Sequence, residues 1–249
     1  MMTNKVLKRV VLAGIASTSS MAWADADYSN YGFIGASSVY GQSVFSEKNS
    51  PQFSLEPNVF YNGDYGFVDG SLVNVAILPW LGISGQWRFA EVSDDVNDIP
   101  AGIDDRDGNA ELGFTIGTVG ARLTYLHDVS NVTDGYEVQL HLGRSFDTAI
   151  NDFTLTPYIE ADYRDKKLSS HLYTVTSIEA AASTVNAYQS GSSWRYQTGL
   201  IGIYTISPEW IALVKAEFEH HDSSSPLVQR DNGWGVTVGV AYNFSHWLK

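Results

Sequence analysis

His220, His221 and Asp222 stand side by side in this sequence, and two other histidines have possible partners nearby, His141 near Ser145 and His127 beside Asp128. A serine, a histidine and an acid can activate a nucleophile, and a His–Asp pair can activate water, but only if the groups meet in space. Adjacent residues of a strand point to opposite faces, so His220 and His221 cannot serve one centre while a strand persists there. The usual metal-ligand spacings are absent from this group. Asp105-x-Asp107-x-Asn109 has the ligand spacing of a calcium loop, yet Gly108 is misplaced for an EF-hand and no glutamate closes the motif. The acidic run holding Asp94, Asp95, Asp98, Asp104, Asp105 and Asp107 against Arg106 therefore reads as a solvated surface loop, with a divalent-cation site as the sharper alternative. No catalytic residue, metal ligand or cofactor is assigned.

The elements that carry these residues alternate at period two. Tyr136, Val138, Leu140 and Leu142 oppose Glu137, Gln139, His141 and Gly143; Phe153 to Tyr163 oppose Thr154 to Arg164 in the same way. Trp210, Ala212, Val214, Ala216 and Phe218 oppose Ile211, Leu213, Lys215, Glu217 and Glu219, and Ile83, Trp87 and Phe89 oppose Ser84, Gln86 and Arg88. Such a pattern suits a strand with lipid on one side and a polar lumen on the other. It places Arg88, Arg122, Glu137, His141, Glu160, Asp162, Arg164, Lys215, Glu217 and Glu219 in the lumen. Mixed charge in a narrow barrel points first to a salt-bridged polar core and second to a small-solute channel, because no ring of one sign is present.

Both ends of the chain agree with export. Lys5, Lys8 and Arg9 precede the apolar run Val10–Ala16, and Ala22-Trp23-Ala24 fits the small-x-small cleavage pattern, so residues 1–24 are expected to be a signal peptide and 25–249 the mature domain. No segment approaches the roughly 20 apolar residues of a spanning helix. Cleavage lowers the 15 Lys and Arg to 12 against 28 Asp and Glu, a net of −16, which argues against nucleic acid. Cysteine is absent, so stability comes from elsewhere than disulfides. A soluble sandwich could show the same alternation. The leader and the last strand, with Gly239, Tyr242 and Phe244 in the spacing of a barrel-assembly signal, favour the membrane. Five residues, Ser245–Lys249, follow that aromatic and are expected to be a loose end.

Short connections at 117–120, 146–152 and 206–209 alternate with long ones at 91–108, 165–193 and 221–233, which puts both termini in the periplasm. Ser177–Ser183 has helical propensity within the longest loop. About eleven strand candidates emerge, whereas a single-chain bacterial barrel wants an even number. The difficulty lies in 59–90, where Asn62-Gly63-Asp64 looks like a turn and Pro79 interrupts a run. Merging two candidates gives ten strands; an overlooked short strand gives twelve. The fold expected is all-β, a transmembrane antiparallel up-and-down barrel of 10 or 12 strands in one domain.

Several segments then resemble the MipA/OmpV family of outer-membrane proteins, the MltA-interacting proteins. Gly102-Ile-Asp-Asp-Arg-Asp-Gly-Asn-Ala-Glu-Leu-Gly113 is similar to its acidic loop leading into a Gly-rich strand. Leu172–Ser183 is similar to its Tyr-Phe-Gly-Val-Ser-x-x-Glu-Ala-Ala-x-Ser segment, departing at Tyr173-Thr-Val, and Tyr188 matches the Tyr that follows. Ile206-Ser-Pro-Glu-Trp210, Ser225-Pro-Leu-Val-Gln-Arg230 and Val238-Gly-Val-Ala-Tyr-Asn-Phe244 match further motifs in order. The resemblance implies residence in the outer membrane of a Gram-negative bacterium, contact with its lipid and lipopolysaccharide, and handling by the barrel-assembly machinery. It also implies a non-enzymatic scaffold for a lytic transglycosylase and a peptidoglycan synthase. The alternatives are a narrow diffusion channel and, more remotely, a hydrolase at the rim.

Overall fold

The computed structural model describes residues 30–48, 50–93 and 98–248. The expected signal peptide lies outside the described residues. Strands β1 (Tyr31–Gln42), β2 (Gln52–Gly63), β3 (Gly66–Asp69), β4 (Leu72–Leu78), β5 (Leu81–Arg88) and β6 (Asn109–Thr118) form the first half. Strands β7 (Ala121–Asp128), β8 (Tyr136–Gly143), β9 (Phe153–Arg164), β10 (Ser193–Ser207), β11 (Trp210–Asp222) and β12 (Gly233–Asn243) form the second. A two-residue piece, Phe146–Asp147, continues β8 along β9. Each strand pairs antiparallel with its neighbour in sequence, and β1 closes against β12 from Phe33↔Asn243 to Gln42↔Trp234. The result is a closed twelve-strand barrel. Closure satisfies the backbone without leaving a free edge over most of the circumference.

Twelve strands rather than ten follow from β3, four residues between the Asp64-Tyr65 and Gly70-Ser71 turns. A strand that short has too few alternations to announce itself. Gly66 and Gly70 adopt φ of +128° and +59°, values that favour glycine, and let the chain reverse twice within a few residues. Pro79 falls in the β4–β5 turn, where its missing N–H removes no ladder bond.

The outer surface is apolar by alternation. Ile34, Val73, Val75, Ile77, Ile83, Leu123, Ile159, Val238 and Val240 are exposed, and their sequence neighbours turn inward. Phe114, Tyr125, Tyr136, Tyr163, Trp194 and Tyr196 form a continuous ring ladder with centroid spacings of 5.5, 5.5, 6.3, 5.3 and 6.0 Å. Trp210 and Tyr242 meet edge to face at 5.6 Å near the end with the short turns. Inside, Asn74, Ser84, Thr115 and Thr124 link four strands through bonds of 3.0, 2.6 and 2.9 Å.

Both described chain ends lie at the short-turn end. Beyond β12 the chain does not run loose. Ser245–Trp247 forms a 3₁₀ turn, Ser245 Oγ accepts from Gly32 N–H at 3.0 Å, and Trp247 packs on Tyr242 at 5.7 Å. The tail is held because its hydroxyl satisfies a buried N–H at the start of the first strand. Ser245→Ala should therefore cost about 1 kcal/mol of barrel stability, measured as a shift of the unfolding midpoint in denaturant.

Candidate functional site

The long connections fold back over one mouth of the barrel. Helix α1 (Lys166–Tyr173) starts at Asp165, whose carboxylate accepts from Leu168 N–H, and helix α2 (Ser177–Ala182) starts at Thr176 in a capping box with Glu179. The sequence pointed to α2 and missed α1, whose signal is the single cap Asp165. Leu168, Leu172, Tyr173 and Val175 from this loop pack with Val44 and Phe45, with Val92, Ile99 and Ile103, and with Leu227. Four connections thus share one buried apolar cluster. The acidic loop keeps Asp104, Asp105 and Asp107 exposed, as expected, while its apolar Val92, Ile99 and Ile103 anchor it in this cap and Arg106 reaches Glu179 at 2.6 Å. Asn109 is buried in β6, and its amide nitrogen donates to Glu111 at 3.2 Å. No group of three or more metal-ligating side chains occurs among the described residues.

Beneath the cap lies a buried ion network. Arg164, fully buried, gives Nε to Glu137 at 2.8 Å, Nη1 to Glu91 and to the Tyr173 hydroxyl at 2.9 and 2.8 Å, and Nη2 to Glu91 at 2.7 Å. Arg88 grips Glu111 through Nε and Nη2 at 3.1 and 3.2 Å, touches Glu137 at 3.0 Å and reaches Glu91 at 3.0 Å. Paired forks of this kind fix both arginines in plane and direction. Tyr173 hydroxyl lies 2.8 Å from His221 Nδ1, and His221 Nε2 lies 3.4 Å from Glu219. Wall and cap are therefore tied by one chain of polar contacts. Burial alone would raise the Glu91 carboxyl, but the Arg164 and Arg88 guanidiniums hold it down at about 2. Glu179 follows the same balance: burial raises it, while the Thr176 N–H and Arg106 lower it below the usual range.

A carboxylate held low contributes stability above its unfolded value and loses it as pH falls through the folded one. The cap should accordingly loosen between about pH 4.5 and about pH 2. Pepsin, active in that window, is expected to cut the 166–191 segment progressively faster as pH drops, and Glu91→Gln should flatten the dependence.

Deeper in the lumen Arg195 joins Asp162 and Glu160 at 2.6 and 2.8 Å, and His141 Nδ1 lies 3.0 Å from Glu160. Lys215 pairs with Glu217 at 2.6 Å, and Tyr158 donates to Glu217 at 3.0 Å. Arg122 crosses the lumen from β7 to Asp69 of β3 at 2.7 Å and lies over the Phe67 ring. Arg195, Glu111 and Glu91 did not emerge from the sequence as members of this set. Arg195 sits in the alternating run Ser193–Thr198, and Glu111 alternates with Ala110 and Leu112, so period two could have found both. Glu91 lies outside any strand and only the folded loop brings it in.

The histidines form no catalytic line. His220 is exposed and its Nδ1 lies 2.6 Å from the Asp231 carbonyl, while His221 is buried on the opposite face. Ser145 bonds Thr156 rather than His141, and Asp128 accepts from Ser130, Thr133 and Asp134 to shape its own loop. Gly239 sits mid-strand in β12 against Ser37, Tyr242 faces outward, and the Phe244 ring covers Gly32. Below the ion network a cavity of about 650 Å³ remains, lined by Phe33, Phe60, Arg122, His141, Tyr158 and Glu160 among others.

Residues 34–244 match the family model described as MltA-interacting protein MipA. The chain belongs to the MipA family. This MipA barrel is also similar to solved structures at low identity. Neisserial surface protein A is 8% identical with a TM-score of 0.30, covering 86% of this chain and 97% of that one. The outer membrane channel DcaP of Acinetobacter baumannii is 11% identical with a TM-score of 0.33, covering 86% and 96%. A loop-deletion mutant of OmpT from Vibrio cholerae is 12% identical with a TM-score of 0.32, covering 86% and 76%. No curated protein matches the chain.

Proposed function

We propose that this MipA barrel resides in the outer membrane of a Gram-negative bacterium and acts as a non-enzymatic scaffold. It would hold a lytic transglycosylase, and through it a peptidoglycan synthase, at the periplasmic face. The observation that carries the reading is the capped mouth: a buried apolar cluster from four connections lies over two arginines whose donors are all engaged. A barrel without a through-path acts by what it touches. The family description, an MltA-interacting protein, supports a partner of that kind. The apolar exterior with its aromatic ladders fits lipid. On this reading residues 1–24 are cleaved, Gly239, Tyr242 and Phe244 address the barrel-assembly machinery, and the long loops face lipopolysaccharide. The docking face would be the short turns and the ordered Ser245–Leu248 tail, where Trp247 is exposed.

The competing reading, a narrow diffusion channel, is favoured by the cavity itself. Two measurements separate them. The refolded barrel in a planar bilayer should show no resolvable conductance steps, and it should bind a purified lytic transglycosylase in titration, more weakly after Trp247→Ala. Steady conductance altered by Glu160→Gln, with no transglycosylase binding, would establish the channel instead.

A further inference from the structure

The barrel wall has a gap. Strand β2 pairs with β1 along Gln52–Asn62, but on its other side only Phe60–Gly63 meet β3, because β3 stops at Asp69. The last contact on that side is Gly70 N–H to the Val59 carbonyl at 3.0 Å. Across the gap β4 begins at Leu72, opposite Gln86 of β5, so Trp87 and Arg88 have a partner in β6 alone. Above the β3–β4 hairpin β2 thus runs on unpaired on that side, whereas β5 runs on only through Trp87 and Arg88. At ordinary strand spacing and rise the window is up to about 14 Å wide and about 15–20 Å tall along β2, narrowing to about 7 Å along β5. Lys48 and Gln52 bond Asp98 and bridge its upper corner.

Nothing covers it. Phe53, Ser54, Leu55, Glu56 and Pro57 are all exposed, although alternate members of this run point into the barrel. A Cβ built on Gly70, at the sill, would meet nothing within 4 Å. The cavity described above reaches this place: Glu56, Asn58, Gly70, Ser71 and Gln86 are part of its lining.

The two faces of the window differ. Outward stand Phe53, Leu55, Pro57, Val73, Trp87 and Phe89, with Leu55 73% exposed. Inward stand Glu56, Asn58, Asp69 and Gln86. Arg122, Arg195 and Lys215 in the lumen are already paired with carboxylates. A strand from another chain is a poor occupant, because Pro57 falls at one of the positions whose N–H would point to it.

We propose that the window is a side entrance from the membrane, and that the cavity accepts the polar head of a single-chain amphiphile whose tail stays outside against Phe53, Leu55, Trp87 and Phe89. The head is uncharged or carries an ammonium group facing Glu56; an anionic head is disfavoured. This rests on the membrane placement proposed above. It is compatible with a sealed mouth, since a side entrance requires no aqueous through-path.

The chain lacks cysteine, so single-cysteine probes are clean. A fluorophore would be attached in lipid nanodiscs at Leu55→Cys, Glu56→Cys, Ser37→Cys or Gln86→Cys, and nitroxide-labelled lipid added. Quenching at Leu55→Cys reports membrane insertion by itself; its absence would sink the placement and not the window. Given insertion, Glu56→Cys should be quenched at least half as strongly as Leu55→Cys, while Ser37→Cys, inward on the neighbouring strand and in register with Glu56, stays protected. Equal protection of Glu56→Cys and Ser37→Cys overturns the open window, including the case where a strand fills it. For the head, dodecylammonium and dodecyl sulfate carrying a nitroxide would be titrated against the Gln86→Cys probe. The ammonium compound should quench at a concentration at least tenfold lower, and adding Glu56→Gln should shrink that ratio severalfold. Equal quenching, or none by either, overturns the assignment of the ligand.

Discussion

Arg164→Ala is expected to destabilise the folded barrel by about 3–5 kcal/mol, the largest single effect in the molecule, because breaking a buried ion pair leaves its partners charged and dry. Three groups lose a donor at once: Glu137, Glu91 and the Tyr173 hydroxyl. Arg88 remains, but a single guanidinium is then left against Glu111, Glu137 and Glu91. Arg164→Lys should recover part of the loss, since it restores the charge but not the planar fork. Unfolding in denaturant with detergent, followed by the heat-modifiable shift on gels, gives the number. A loss under about 1 kcal/mol would mean that water reaches Glu137 and that the network is not dry.

Removing the cap should convert a silent barrel into a conducting one. Arg164 and Ser193 are directly paired, so β9 and β10 can be joined by replacing residues 165–192 with a two-residue hairpin turn of the Asn-Gly type. The deletion takes away Leu168, Leu172, Tyr173 and Val175, the centre of the apolar cluster. Planar-bilayer recordings are expected to pass from no resolvable steps to steady ones. The size of the step should fall when Arg88 and Arg164 still span the mouth and rise in the variant that also carries Arg164→Ala. Silence in both would place the closure lower, at Arg122–Asp69 and the paired charges around Glu160.

The barrel was legible from the sequence because lipid imposes a rule at every second residue. Wherever a strand is long and paired on both sides, as in β8, β9, β11 and β12, alternation names its lumen face residue by residue. The rule fails where strands shorten. Gly66–Asp69 offers two residues per face, too few to separate from a turn, so ten and twelve strands remained equivalent until the pairing Phe60↔Asp69 and Asp69↔Leu72 was seen.

The outward and inward faces of the long strands, the acidic balance, the absent disulfides and the family motifs were determined by the sequence alone. The tertiary structure decided what closes the mouth and what leaves the wall open. Val44, Val92, Leu172 and Leu227 belong to four connections far apart in the chain, and no local period marks them as neighbours. Glu91 is an ordinary loop acid until folding sets it between two arginines. The window, likewise, is a difference in length between β2 and β3: each strand is unremarked by itself, and only their register shows the outer part of β2 paired with β1 on one side and with no described strand on the other. Local patterning encodes which way a side chain points; long-range pairing alone encodes what stands across from it.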